Sequence, residues 1–283
     1  MKEGKGRKKR KYSTGLLCVE AALVLLACFM VFPMVLIFIN SFKANGEILL
    51  DMLALPEKWS FGNYREAISK MNFFRKFANT ILVSTASVMG IILFGSMAAY
   101  KVTRVKNKIS NIIYYGILFT MAIPFQVLMV PIVIVARNLH IVNTLYGMVI
   151  MYWGFLLPMA MFLYCGFIKG VSRELEEAAL IDGCGQFQAF FYVVFPILKP
   201  ITATIAIINM LGVFNDFMLP LIMINSEKLK TIQLSMSVFY GTYLNRWDLI
   251  MAALVLSILP ALIFFLLFQK QIIKGMADGA VKG

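Results

Sequence analysis

A chain of 283 residues that is 60% hydrophobic and only 14% charged, with a mean hydropathy of +0.81, has too little polar surface for an ordinary soluble domain. The net charge of +13 would suit a nucleic-acid binder, but the excess lies at the flanks of apolar runs. Insertion rules and anionic lipid account for it there, so membrane lipid is an expected partner and nucleic acid is not.

In chain order, the basic stretch KEGKGRKKRK leads into an apolar run too long for a signal peptide, which reads as an uncleaved anchor. About 20 apolar residues cross the hydrocarbon core, and uncharged runs of that kind recur at Ala21–Phe42, Phe77–Tyr100, Ile109–Ala136, Asn138–Ile168 and Leu249–Gln269. A sixth, Pro200–Asn215, is interrupted by Asp216 and resumes at Phe217. Lipid leaves no backbone group unsatisfied, so the runs are expected as helices. The expectation is an all-α polytopic membrane protein of one domain over residues 16–270. Its spans are placed near 16–40, 78–100, 110–136, 144–168, 200–222 and 249–268, between a basic tail at 1–15 and a second tail at 271–283. In the long 43–78 connection, Tyr64, Ile68, Met71 and Phe74 are spaced as one amphipathic helix over Asn63–Phe77, with Trp59 at the interface. An N-in, C-in chain puts seventeen of the 27 Lys and Arg inside, and the short loops carry that bias. Cysteines 18, 28, 165 and 184 have no metal or redox spacing and read as small apolar residues.

One loop, 169–199, is then cytoplasmic and carries the chain's strongest pattern. Ser172 is placed to cap a short helix whose first turns hold Glu174, Glu176 and Glu177 near the positive end of the dipole. Leu175, Ala178 and Ala179 make a narrow face of mostly small residues, and Gly183 after Asp182 supplies a left-handed end. A second helix starts near Gly185 with Phe187, Phe190, Phe191 and Val194 at helical spacing. Pro196 is expected to stop it, and Pro200 to open the next span.

The run E-A-A-x-x-D-G-x-x-x-x-x-F-x-x-V-x-x-P over Glu177–Pro196 resembles the loop signature of the membrane subunits of binding-protein-dependent ABC importers. Glu177, Ala178, Ala179, Asp182, Gly183, Phe190 and Pro196 match it, with Cys184 in place of the more usual Ala. Asn79-Thr80-Ile81-Leu82 at the start of the second span agrees, as does Asn215-Asp216-Phe217. The tail Gln269–Gly275 with Gly279–Gly283 resembles the smaller permease subunit of maltose-type sugar importers. The resemblance implies a coupling loop seated in a cleft of a cytoplasmic ATPase, with tail contacts at Lys274, Gly275, Gly279 and Lys282. It also implies a second permease subunit in a heterodimer, two ATPase subunits, an extracellular or periplasmic sugar-binding protein, and a mono- or oligosaccharide as substrate.

In the spans, Asn209, Asn215 and Asp216 are the candidates for lining a pore or substrate path, because polar groups at membrane depth usually face a cavity. His140, the only histidine, reads as a solvated loop residue. The chain has no G-x-x-x-x-G-K-[ST], no H-E-x-x-H and no G-x-S-x-G, so it is expected to be no enzyme and to hold no cofactor, ATP belonging to the partner subunits. The alternatives are a permease for another solute class or an ion-coupled secondary transporter. The latter calls for charges inside several spans, and only Glu20 and Asp216 come near.

Overall fold

The computed structural model describes residues 14–239 and 246–280, with side chains at 15–239 and 246–270. Among the described residues the architecture is helical without a strand. The long first helix α1 (Thr14–Asn40) is followed by α2 (Asn45–Leu50), α3 (Gly62–Lys70) and the 32-residue α4 (Phe73–Arg104). Then come α5 (Lys108–Thr120), α6 (Phe125–Asn138), α7 (Leu145–Ile168) and α8 (Glu174–Ile181). After α9 (Gln186–Ala189), a π-turn (Phe190–Val194) and α10 (Phe195–Ile197), α11 (Lys199–Asn215) leads to α12 (Met218–Met223). Short α13 (Ile232–Ser235) precedes α14 (Trp247–Ala280).

Helices α1, α4, α7 and α14 are each long and apolar enough to cross a membrane, and two bent pairs raise the number to six if each pair is one span. The expected third span is such a pair: α5 and α6 meet at 109°. Pro124 stands at the N-cap of α6. It has no N–H to continue α5 and disfavours helix at the residue before it, so the apolar run folds back on itself. The expected fifth span is α11 and then α12, separated at Asp216 and Phe217. Helix α14 runs on to Ala280, through most of the expected 271–283 tail. The single amphipathic helix expected over Asn63–Phe77 is two, α3 and the start of α4, broken where Asn72 takes φ +50°.

The core forms around α4 and α7. Gly90 lets the Trp153 ring lie across α4: a Cβ there would stand 2.2 Å from the ring, while Trp153 Nε1 donates to Ser87 O at 3.1 Å. Gly95 faces Ala160, and Ala99 and Ala160 are both fully buried. Small residues permit this approach where lipid supplies little drive for helices to pack. Ile201 and Ile205 of α11 complete the core near the 169–199 loop. At the other end of α4, Lys76 is buried and bonds both the backbone O and the carboxylate of Glu227. Asn79 donates to Lys228 O and Lys230 O, and Thr80 Oγ1 accepts from Ile232 N–H at 3.0 Å. His140 ends α6 with φ +56°, and Ile141 N–H reaches back to Ala136 O.

Candidate functional site

The 169–199 loop is a built element. Glu174, Glu176 and Glu177 occupy the first turn of α8, where carboxylates meet the positive end of the helix dipole. The cap shifts by one residue: Arg173 holds the N-cap position, and Ser172 Oγ accepts from Glu174 N–H at 3.2 Å. At the far end Gly183 has φ +90°. Its N–H donates to Leu180 O at 3.1 Å, and Cys184 N–H donates to Ala179 O at 3.0 Å. This bond pair closes a helix only when the residue after the cap is left-handed, which is why glycine stands there.

The second helix departs from its expected form. After α9, Phe195 N–H reaches Phe190 O, a five-residue step that makes the π-turn. Pro196 supplies no N–H, so the regular ladder has to shift around it. Pro196 does not stop the helix as the sequence suggested: α10 continues to Ile197 and the 77° bend falls between Ile197 and Lys199. Pro200 then sits in the first turn of α11, as expected.

What fixes the loop to the spans is Glu176. It is buried and accepts from Tyr100 Oη at 2.8 Å and from Arg104 Nε at 2.8 Å, with the second Arg104 nitrogen completing the fork. The same guanidinium donates to Val171 O at 2.9 Å, and Arg173 donates to Arg104 O at 3.3 Å. The last turn of α4 is thereby tied to the first turn of α8. Phe190, buried, packs its ring 5.0 Å from Tyr100, and Val194 joins the same core.

These contacts sort the signature residues. Ala179 and Phe190 turn inward, so the face expected to unite Leu175, Ala178 and Ala179 is divided. Position 179 has to seat α8 against its own chain before anything else can use it. Leu175, Ala178 and Ile181 face out, Ile181 at 85% exposure, with Phe187 exposed on the neighbouring helix. Glu177 and Asp182 are exposed and make no ion pair within the described residues. Sequence reasoning missed Glu176 because its partner lies 72 residues away and its neighbour Glu177 is chemically identical.

The pore candidates share no hydrogen bond with one another among the described residues. Asn209 is buried and donates to Ile205 O of its own helix at 2.8 Å. Asn215 is exposed and donates to Leu211 O. Asp216 accepts Tyr152 Oη at 2.8 Å and the Met218 and Leu219 N–H groups, so it caps the break between α11 and α12. Of the tail residues, Lys274, Gly275 and Gly279 lie in α14, and Lys282 is outside the described residues.

Residues 91–278 match the model of the binding-protein-dependent transport system inner membrane component. The chain belongs to that family. It is a permease component of the bacterial cell membrane, and the family's membrane component is not itself an ATPase. The permease is 38% identical over 259 residues (92% of this chain, 94% of the other) to the probable starch degradation products transport system permease protein AmyC of Thermoanaerobacterium thermosulfurigenes. It is 34% identical over 278 residues (98% and 100%) to the melibiose/raffinose/stachyose import permease protein MelC of Bacillus subtilis. In fold it matches a bacterial ABC transporter involved in the import of the acidic polysaccharide alginate, with a TM-score of 0.80 at 22% identity over 93% of this chain and 99% of that one.

Proposed function

We propose that this permease is one half of a heterodimeric pore that moves a mono- or oligosaccharide inward, driven by two separate cytoplasmic ATPase subunits. Six spans with N-in, C-in topology put the 169–199 loop on the ATPase side. An extracellular or periplasmic sugar-binding protein supplies the substrate from the other side, and the chain itself needs no cofactor. The relatives named for starch products and for melibiose, raffinose and stachyose support a sugar substrate. A structure of the alginate transporter in complex with an alginate pentasaccharide-bound periplasmic protein supports delivery by a binding protein.

The observation that carries the coupling role is the division of α8. One side is locked to α4 by Glu176 and Arg104 while Leu175, Ala178 and Ile181 stay uncovered. A short rigid helix with an uncovered apolar side and a free carboxylate at Glu177 suits seating in a partner's cleft. Ala178→Trp overfills that seat, and Glu177→Lys reverses the charge that orients it. Both are expected to lower sugar-stimulated ATP hydrolysis at least tenfold in reconstituted vesicles, with less ATPase co-purifying. Normal assembly and normal hydrolysis in both variants would show that coupling enters elsewhere.

A further inference from the structure

Between the ends of α4 and α7 and the start of α5 lies a pocket of about 260 Å³ that the coupling role does not use. Lys106 and Lys169 line it, together with Asn111, Tyr114, Tyr115 and Thr103. Two arginines near this corner are engaged: Arg104 by Glu176, and Arg173 by the Arg104 carbonyl. Lys106 and Lys169 make no ion pair within the described residues, and no carboxylate lines the pocket. Two ammonium groups, an amide and hydroxyl donors around one space suit an anion with several acceptor oxygens. A neutral sugar gains little from them, and the volume falls short of the about 300–1,000 Å³ that encloses a whole small molecule.

The surroundings select the source of the anion. Along α5 from the pocket, Ile112, Tyr115 and Phe119 stand 67–71% exposed, an apolar strip continuous with the polar corner. Lysines at the ends of membrane helices, with a tyrosine beside them, mark headgroup level, and basic pockets between spans bind anionic headgroups. We propose that this corner holds the phosphodiester of an anionic phospholipid, its acyl chains lying along the exposed side of α5.

The test uses the complete transporter in neutral detergent, titrated with phosphatidylglycerol, the retained lipids being counted by native mass spectrometry. One phosphatidylglycerol should be held at least tenfold more tightly by the wild type than by Lys106→Gln/Lys169→Gln, and the Lys106→Arg/Lys169→Arg form should keep it. Phosphatidylcholine should not replace it. The control Lys101→Gln/Lys108→Gln removes equal charge at the same end and should bind as the wild type does. Equal loss in that control would reduce the effect to diffuse charge, and unchanged retention in Lys106→Gln/Lys169→Gln would remove the site. Displacement by millimolar inorganic phosphate would make it a soluble-anion site and overturn the lipid assignment. If the glutamine variant fails to assemble, phosphatidylcholine binding to the wild type as tightly as phosphatidylglycerol is enough to refute the proposal.

Discussion

Glu176 and Glu177 show how far two identical neighbours can diverge. One is buried in a fork of Arg104 with the Tyr100 hydroxyl on its other oxygen; the other faces solvent without an ion pair. Removing one partner of a buried pair leaves a charge uncompensated, at about 3–5 kcal/mol. Glu176→Gln should fall near the lower end, about 3 kcal/mol, because Arg104 keeps its bond to Val171 O. Glu177→Gln should change stability by less than about 0.5 kcal/mol. Thermal unfolding of both variants in detergent checks this, and similar losses in both would refute the assigned division of labour. Arg104→Lys should not substitute, since an ammonium cannot supply the fork. The sequence made the loop legible at residue level wherever the signal was local: the carboxylates of the first turn, Gly183 with φ +90°, and Pro200 at the start of α11. It could not show which glutamate turns inward, because that depends on a residue in another helix.

At the scale of elements, length and hydropathy located the helices but not their bends. Ile109–Ala136 is a single uncharged run, and only the geometry around Pro124 shows that it folds at 109°. The π-turn before Pro196 was likewise hidden, because a proline can end a helix or be absorbed by a shifted ladder, and packing around Phe190 and Val194 decides which. The join between α3 and α14 has a readable titration. Glu66 bonds Lys70 at 2.8 Å and lies 3.4 Å from Arg246. The Lys70 hydrogen bond holds its carboxyl below the usual 4.5, with burial opposing and Arg246 assisting. A depressed carboxyl contributes stability above its unfolded pKa and loses it as pH falls through the folded value. The gap in melting temperature between wild type and Glu66→Gln should therefore be present at pH 7 and narrow as the pH falls below 4.5 through the lowered folded value. It should also shrink in high salt, since the pair is exposed. A gap that shows no narrowing between pH 7 and pH 3 would mean Glu66 acts through something other than its charge.

For the whole molecule, the proposed orientation places the 169–199 loop and the segment around Trp59 on opposite sides of the membrane. A cysteine introduced at Glu177 should resist an impermeant thiol reagent applied to intact cells. One at Trp59, which is 57% exposed, should react. The measurement is made in a chain whose exposed native Cys18 and Cys28 are replaced by serine. Reversed labelling would overturn the orientation and the coupling proposal with it. Residues 15–35 of α1 are exposed throughout, whereas α4, α7 and α14 bury part of their surfaces within the chain. Hydropathy ranks α1 as the most apolar of the four and carries no mark of that difference, since a residue facing lipid and one facing a neighbouring helix are equally apolar.

Helix α4 has no proline inside it, unlike α1, α7 and α14, which carry Pro33, Pro158 and Pro260. It is gripped near both ends by ion pairs, Lys76 with Glu227 at one and Arg104 with Glu176 at the other. At 1.5 Å per residue these grips are about 42 Å apart, joined by a continuous rod. A rod held this way works in both directions. If closure at the α8 end changes the strain on the segment around Glu227, then a molecule that engages that segment must change the affinity of α8 for its own partner by the same factor. The two faces of the membrane would then share one coupling free energy, and α4 is the member positioned to carry it.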